Sequence, residues 1–254
     1  MSRTVAWFSC GAASAVVAKL ASEKYDDLIV VYCDTMANEH PDNQRFFDDV
    51  QAWIGQPILK ISNPKYSTVD DVFKQTRFMA SPYGARCTVE LKKSPRFAFQ
   101  QPDDLHLFGL TADEPGRIAR FEQTNHDLNL SWMLQDANLT KAKCLARVDS
   151  AGIKLPAMYG GQGIGPYKNN NCIACVKATS ARYWNMTRRD FPEVFARRAQ
   201  QSRDLGVRLT RVNGERVFLD ELPRDYLGAE ELENISCGPD CAQGDLFAIE
   251  EVAE

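Results

Sequence analysis

The sequence predicts an α/β protein: a mostly parallel, Rossmann-like sheet flanked by helices, followed by a mainly helical C-terminal region that contains cysteines. Three observations predict it. Strand-like apolar runs alternate with helical stretches through the first third, the pattern of parallel-sheet architecture. One run, Leu28-Ile29-Val30-Val31-Tyr32, is apolar throughout, as expected of a strand buried on both faces. Small residues fill the junction between the first strand and the first helix.

Val5-Ala6-Trp7-Phe8 reads as the first strand, and residues 13–23, rich in Ala, Val and Leu, as the first helix. After the second strand, residues 41–54 place Phe46, Phe47, Val50 and Trp53 at helical spacing, and Pro57-Ile58-Leu59-Lys60-Ile61 makes a third strand. Residues 62–86 carry Pro, Gly and Ser and read as a loop or lid, and residues 105–110 as a fourth strand. Thr140 caps a helix that runs to about Ser150 and is ended by Gly152. Residues 159–171 form a loop rich in Gly and Asn, and Asp190 with Glu193 starts a helix that stops at Gly206. The expected division is a nucleotide-binding α/β domain over 1–158 and a helical, Cys-rich region over 159–254 packed on it.

A chain of 254 residues with 44% hydrophobic and 25% charged content has the composition of an ordinary globular protein. A net charge of -4 excludes a generally basic nucleic-acid coat. No stretch reaches the ~18 apolar residues of a membrane span, and the N-terminal run is too short for a signal segment, so the expected location is the cytoplasm. Eight cysteines in that compartment point to metal binding or thiol chemistry rather than disulfides.

Ser9-Cys10-Gly11-Ala12-Ala13-Ser14 places small residues where a strand meets a helix, so backbone N–H groups can face an anion. Tight strand–helix packing would use the same residues. Asp34 and Thr35 stand just past the second strand, at the edge where open α/β sheets bind ligands.

Taken together, these pieces resemble the phosphoadenosine phosphosulfate (PAPS) reductase branch of the PP-loop ATP-pyrophosphatase superfamily. The 9–14 loop is similar to its Ser-Gly-Gly-x-Asp-Ser signature, and Cys33-Asp34-Thr35 to its x-Asp-Thr. Cys87-Thr88-Val89-Glu90-Leu91-Lys92-Lys93-Ser94-Pro95 resembles its Cys-x-x-x-(Arg/Leu)-Lys-x-x-Pro element. Phe108-Gly109-Leu110 with Glu114, Gly116, Arg117 and Arg120 resembles its Gly-x-Arg-x-x-x-Ser-x-x-Arg segment, and Gly152, Ile153, Pro156 and Tyr159 match its helix-end signature. The motifs follow in the family's order from about Trp7 to Lys177. Three departures stand out: Cys10 replaces the first Gly of the signature, Ala13 its Asp, and Thr111 the Arg of Gly-x-Arg.

The resemblance implies an adenine nucleotide, ATP or an adenylylsulfate (APS or PAPS), with magnesium as its companion ion. The loop, Asp34, Thr35 and Gly109 would hold it, and Lys92, Lys93, Arg117 and Arg120 would hold its anionic end. In the family, APS reductases bind a four-iron cluster through a tandem Cys pair and a distant C-x-x-C. Here Arg86 stands beside Cys87, so Cys87, Cys172 and Cys175 match three of those ligands. Cys241 or Cys237 supplies the fourth, or one iron stays open. Zinc is the rival metal, because thiolate sites accept either. The reductases' catalytic thiol lies in a C-terminal Glu-Cys-Gly-x-His; this chain has Ser236-Cys237-Gly238 and no His, so Cys237 is either the attacking thiolate or a ligand. Cys144 reads as a core residue.

Arg182, Arg188, Arg189, Arg197, Arg198, Arg203, Arg208, Arg211 and Arg216 form a basic stripe that begins beside Tyr183 and Trp184. It reads either as a nucleic-acid contact with a stacking platform or as a solvated helix face. His40, His106 and His126 are scattered singly.

Two functions follow. The first is an enzyme of sulfur chemistry, a sulfonucleotide reductase served by a thiol donor such as thioredoxin, or an ATP-dependent sulfurtransferase with a nucleic-acid acceptor. The second is a non-catalytic, zinc-stapled binding module with a degenerate nucleotide pocket.

Overall fold

A computed structural model of the chain describes residues 3–228 together with Asn234, Ile235 and Cys237. Its centre is a five-stranded parallel sheet built from β1 (Thr4–Phe8), β2 (Leu28–Cys33), β3 (Ile58–Ile61), β6 (Leu105–Phe108) and β7 (Asn129–Ser131), in the order β3-β2-β1-β6-β7. The intervening β4 (Ala80–Ser81) and β5 (Gly84–Ala85) form a separate antiparallel hairpin. Every residue of β1 is buried, and they alternate between two cores. Ala6 and Phe8 join a cluster with α1 (Ala12–Ser22), α2 (Asp42–Ile54) and α8 (Lys141–Ser150); Val5 and Trp7 join Phe108, Phe121 and Trp132 on the other face. This two-sided burial is why β1 and β2 read as continuous apolar runs rather than alternating ones. The chain is thus α/β and Rossmann-like, as the alternation predicts. β7 went unforeseen because three residues, two of them polar, carry no readable period.

Strand order reverses at β1, so the crevice beyond the carboxyl ends of β1 and β6 is the topological switch point where open α/β sheets bind ligands. The junction that follows β1 therefore lies where a ligand site belongs.

Residues 62–86 are more ordered than a loop. Thr68 caps α3 (Val69–Thr76) in a full capping box, its Oγ1 accepting from the Asp71 amide at 3.1 Å while Asp71 Oδ2 accepts from the Thr68 amide at 2.8 Å. The Thr-x-x-Asp spacing was the signal. The hairpin leads into α4 (Arg86–Thr88), a π-helical turn (Val89–Lys93) and α5 (Ser94–Phe99). Phe73, Met79 and Leu91 from this stretch share a third core with Tyr167, Trp184 and Phe195 of the C-terminal region. That region holds α9 (Ala181–Asp190), α10 (Pro192–Asp204) and the hairpin β8 (Thr210–Val212) and β9 (Glu215–Val217); α6 (Pro115–Thr124) and α7 (Met133–Asp136) complete the set of helices.

Thr140 caps α8, as its sequence implies, accepting from the Lys143 amide. The expected Asp190 cap is not made: Phe191 is the N-cap of α10, and Asp190 Oδ2 accepts from the Gly165 amide and the Tyr167 hydroxyl, both at 3.0 Å. A local spacing rule lost here to a tertiary contact. Part of the basic stripe is engaged within the fold, while Arg197, Arg208, Arg211 and Arg216 stay exposed. Arg198 is buried against Asp70 at 2.8 Å, Arg203 pairs with Asp220 and Glu221, and Arg188 donates to the Leu219 and Leu222 carbonyls. Tyr183 and Trp184 are core residues and offer no stacking face. Among the described residues no helix is long and apolar enough to cross a membrane.

His106 is also a core residue, 1% exposed. Trp7 Nε1 donates to its Nδ1 at 3.0 Å, so the neutral ring carries its proton on Nε2. Burial lowers its pKa from 6.5 to about 4. A folded value below the unfolded one means the stabilisation is complete above pH 6.5 and is lost as pH falls toward 4, by up to about 3 kcal/mol. His106→Gln keeps an acceptor for Trp7 but does not titrate. Denaturant titrations from pH 7 to 4 should show a smaller loss of stability in the variant; parallel curves would exclude His106 as the source.

Candidate functional site

The 9–14 loop is held open by its own hydroxyls. Ser14 Oγ accepts from the Ser9 amide at 3.0 Å and donates to the Gly11 carbonyl at 2.9 Å, closing a small ring over the first turn of α1. No side chain of the N-cap residue Gly11 caps that helix. First-turn amides have no acceptor within their own helix, so the positive end of α1 faces the cleft. The Tyr159 hydroxyl covers one edge, accepting from the amides of Ala12 and Asn170. The loop thus has the form that an anion requires.

Cys10 has an unusual backbone here. Its backbone stands at φ 54°, in the left-handed region, where the resembling signature has Gly. The side chain goes under the loop, fully buried, with Sγ 3.9 Å from the Asn43 carbonyl. Gly109 is constrained differently. A Cβ there would lie 2.7 Å from the Ser14 nitrogen and 2.9 Å from its Cα, so the end of β6 can approach the loop only as glycine.

Ser9, Gly11, Ala12, Ala13, Ser14, Gly109, Arg117 and Cys237 all line this cleft, and so does Thr111. Thr111 helps to orient Arg117 through Glu114: its amide and hydroxyl both donate to Glu114 Oε2, at 3.1 and 2.9 Å, and Glu114 Oε1 accepts from Arg117 Nη1 at 2.8 Å. Arg120, expected beside it, lies exposed on α6 and outside the lining. Asp34 and Thr35 also stand outside it. The Asp34 amide donates to the Ile61 carbonyl at 2.7 Å and its carboxylate accepts from the Met36 amide, while buried Thr35 donates to Glu39 Oε1 at 2.6 Å. Both are engaged in the turn after β2.

Lys92 and Lys93 are buried and do not line the cleft either. The π-helical turn carries Lys92 among the thiols, where its Nζ donates to the Cys237 carbonyl at 2.8 Å. Burial alone would lower its pKa, but the charges of Cys237, Cys172, Glu39 and Cys175 outweigh it and raise the value. Lys92 thus stands as a positive charge among the cysteines rather than in the lining of the cleft.

Four cysteines lie around that ammonium. Cys87 sits on the first turn after β5, and Cys172 and Cys175 lie on the C-x-x-C turn, where Ala174 adopts φ 54° and the Ile173 amide donates to the Asn38 carbonyl at 2.9 Å. Cys237 arrives from the C-terminal side, with Sγ 3.5 Å from Thr88 Oγ1. Its contact with Cys175 dominates the titration of both: the hydrogen bond stabilises the Cys237 thiolate and lowers its pKa, aided by Lys92 and Lys177, and the same bond raises Cys175. Burial pushes Cys87 up to about 12, and the charge of Cys237 adds to it. Cys172 also rises, by burial and despite Lys92. Cys241 lies outside the described residues.

Among the described residues, no three His, Cys, Asp or Glu side chains are drawn into metal-holding geometry. The donors that could hold a thiophilic metal or an iron–sulfur cluster are the thiols of Cys87, Cys172, Cys175 and Cys237, which lie around the buried Lys92 ammonium. Cys144 and Cys33 are buried in the sheet cores.

Lys141 and the run Asn169-Asn170-Asn171 line the cleft and were missed in the sequence. Lysine in the first turn of a helix opposes the helix dipole, which was the available signal for Lys141. Its ammonium donates to the Lys168 carbonyl and to Asn169 Oδ1. Neither a family model nor a curated protein matches this chain.

Proposed function

We propose that this chain is a PAPS reductase-like, adenine-nucleotide-binding enzyme of sulfur chemistry, in which Cys87, Cys172, Cys175 and Cys237 hold a four-iron cluster or zinc. One observation carries the reading: Cys237 lines the cleft of the phosphate-type loop and also belongs to the thiol group. A module whose metal only stapled the fold would have no need to place a thiolate beside that loop.

The α1 amides would hold the nucleotide's phosphates, with Arg117, oriented by Glu114, beside them. When bound, an iron–sulfur cluster would supply electrons or sulfur, whereas zinc, which has no redox chemistry, would only hold and activate a thiolate. With Cys237 engaged by Cys175, the tail thiolate that a reductase would aim at sulfur is already committed, which favours ATP-dependent sulfur transfer over reduction. In that reaction an acceptor oxygen attacks the α-phosphorus, pyrophosphate leaves toward the loop, and sulfur then displaces AMP.

The test incubates the anaerobically purified protein, its metal restored, with APS, PAPS and ATP separately. Pyrophosphate release that requires an added RNA, DNA or small-molecule acceptor supports transfer. Sulfite release that depends on Cys237 would instead assign the reductase. A colourless protein with one zinc and no nucleotide affinity would replace both by the binding module.

A further inference from the structure

The run Asn169-Asn170-Asn171-Cys172 touches every part of the site. Asn170 is 7% exposed, and its Nδ2 donates to the Cys10 carbonyl at 2.6 Å and to Asn43 Oδ1 at 2.9 Å, so it grips the phosphate-type loop from beneath. Asn43 is itself fixed, donating to Glu39 Oε2 at 2.6 Å. On either side of Asn170 the run holds the segment that delivers Cys237. Asn169 Nδ2 donates to Asn234 Oδ1 at 2.7 Å and to the Ile235 carbonyl at 3.0 Å, and Asn171 Nδ2 donates to the same carbonyl at 2.9 Å. The next residue is Cys172.

The geometry points to Asn169, Asn170 and Asn171 as positioning residues that couple the two halves of the site, so that loading of the thiols and binding of the nucleotide strengthen each other. This rests on the function proposed above. Drawing Cys172 and Cys237 onto one metal centre fixes both ends of the asparagine run. Because the run also holds the loop and lines the cleft, the nucleotide then meets a wall whose ordering cost has already been met. Coupling of this kind is reciprocal and amounts to roughly 5- to 150-fold in affinity in proteins generally.

The full-length protein, stripped of metal under reducing conditions, is titrated with Mg-saturated ATP, and with APS and PAPS, before and after loading with one equivalent of Zn2+. The loaded protein should bind one of these nucleotides about tenfold more tightly. In Asn169→Ala/Asn171→Ala that ratio should fall toward one while Zn2+ is still held. Competition for Zn2+ with a chromogenic chelator, with and without the nucleotide, reads the same coupling from the other side and needs no variant. Equal affinities in the loaded and stripped wild-type protein, or an undiminished ratio in the double variant, would overturn the coupling alone. Absence of binding in both states would overturn the proposed function and the coupling with it.

Discussion

Cys237→Ser is expected to lower metal affinity by roughly 100-fold or more, with loss of iron and labile sulfide or of zinc on desalting, since even partners that only orient metal ligands are worth about 10–100-fold. Serine offers an oxygen in place of a soft thiolate, leaving Cys87, Cys172 and Cys175 as an incomplete set around the Lys92 ammonium. That ammonium is buried and loses the nearest thiolate charge, so folding stability should fall as well. Cys241→Ser should leave metal content unchanged. If Cys241→Ser strips the metal and Cys237→Ser does not, the assignment is reversed, and Cys237 returns to the role of attacking thiolate.

Gly109→Ala should have the second-largest effect. The added carbon cannot be accommodated by a side-chain movement, because the atoms it meets are the Ser14 nitrogen and Cα, both backbone. The loop must shift by several tenths of an ångström. Such overpacking costs about 1–3 kcal/mol of stability. The displacement falls on the turn whose amides would bind phosphate, so nucleotide affinity should drop by at least about tenfold, beyond what the stability loss explains. Calorimetric titration of folded Gly109→Ala protein, confirmed by circular dichroism, reads this directly; unchanged affinity would show that the ligand does not use this turn.

The fold was legible because its signals were local and repeated. Buried runs marked β1 and β2, helical spacing marked α2, and Thr140 marked the start of α8. The candidate site was legible only in part. Small residues marked the loop, and Cys172 and Cys175 declared themselves by spacing, but nothing local shows that Cys237 travels from the end of the described chain to meet Cys87. The place of Lys92 was unreadable for a similar reason: the resemblance supplies a lysine, whereas the π-helical turn sets it among the thiols. Arg120 stands outside the cleft lining while Arg117 lies within it, because Thr111 and Glu114 hold only one of the two arginines. The asparagines went unread because an Asn-rich loop has the composition of any turn; their importance lies in partners 64 to 160 residues away.

The central claim is that an adenine nucleotide binds where the sheet order reverses, over the 9–14 loop. Its most direct test is equilibrium titration of the metal-loaded protein with ATP, APS and PAPS, with pyrophosphate as competitor. One-to-one binding of at least one nucleotide, displaced by pyrophosphate and weakened by Arg117→Ala, is the predicted result. Failure of all three to bind, or binding indifferent to both pyrophosphate and Arg117, would contradict it.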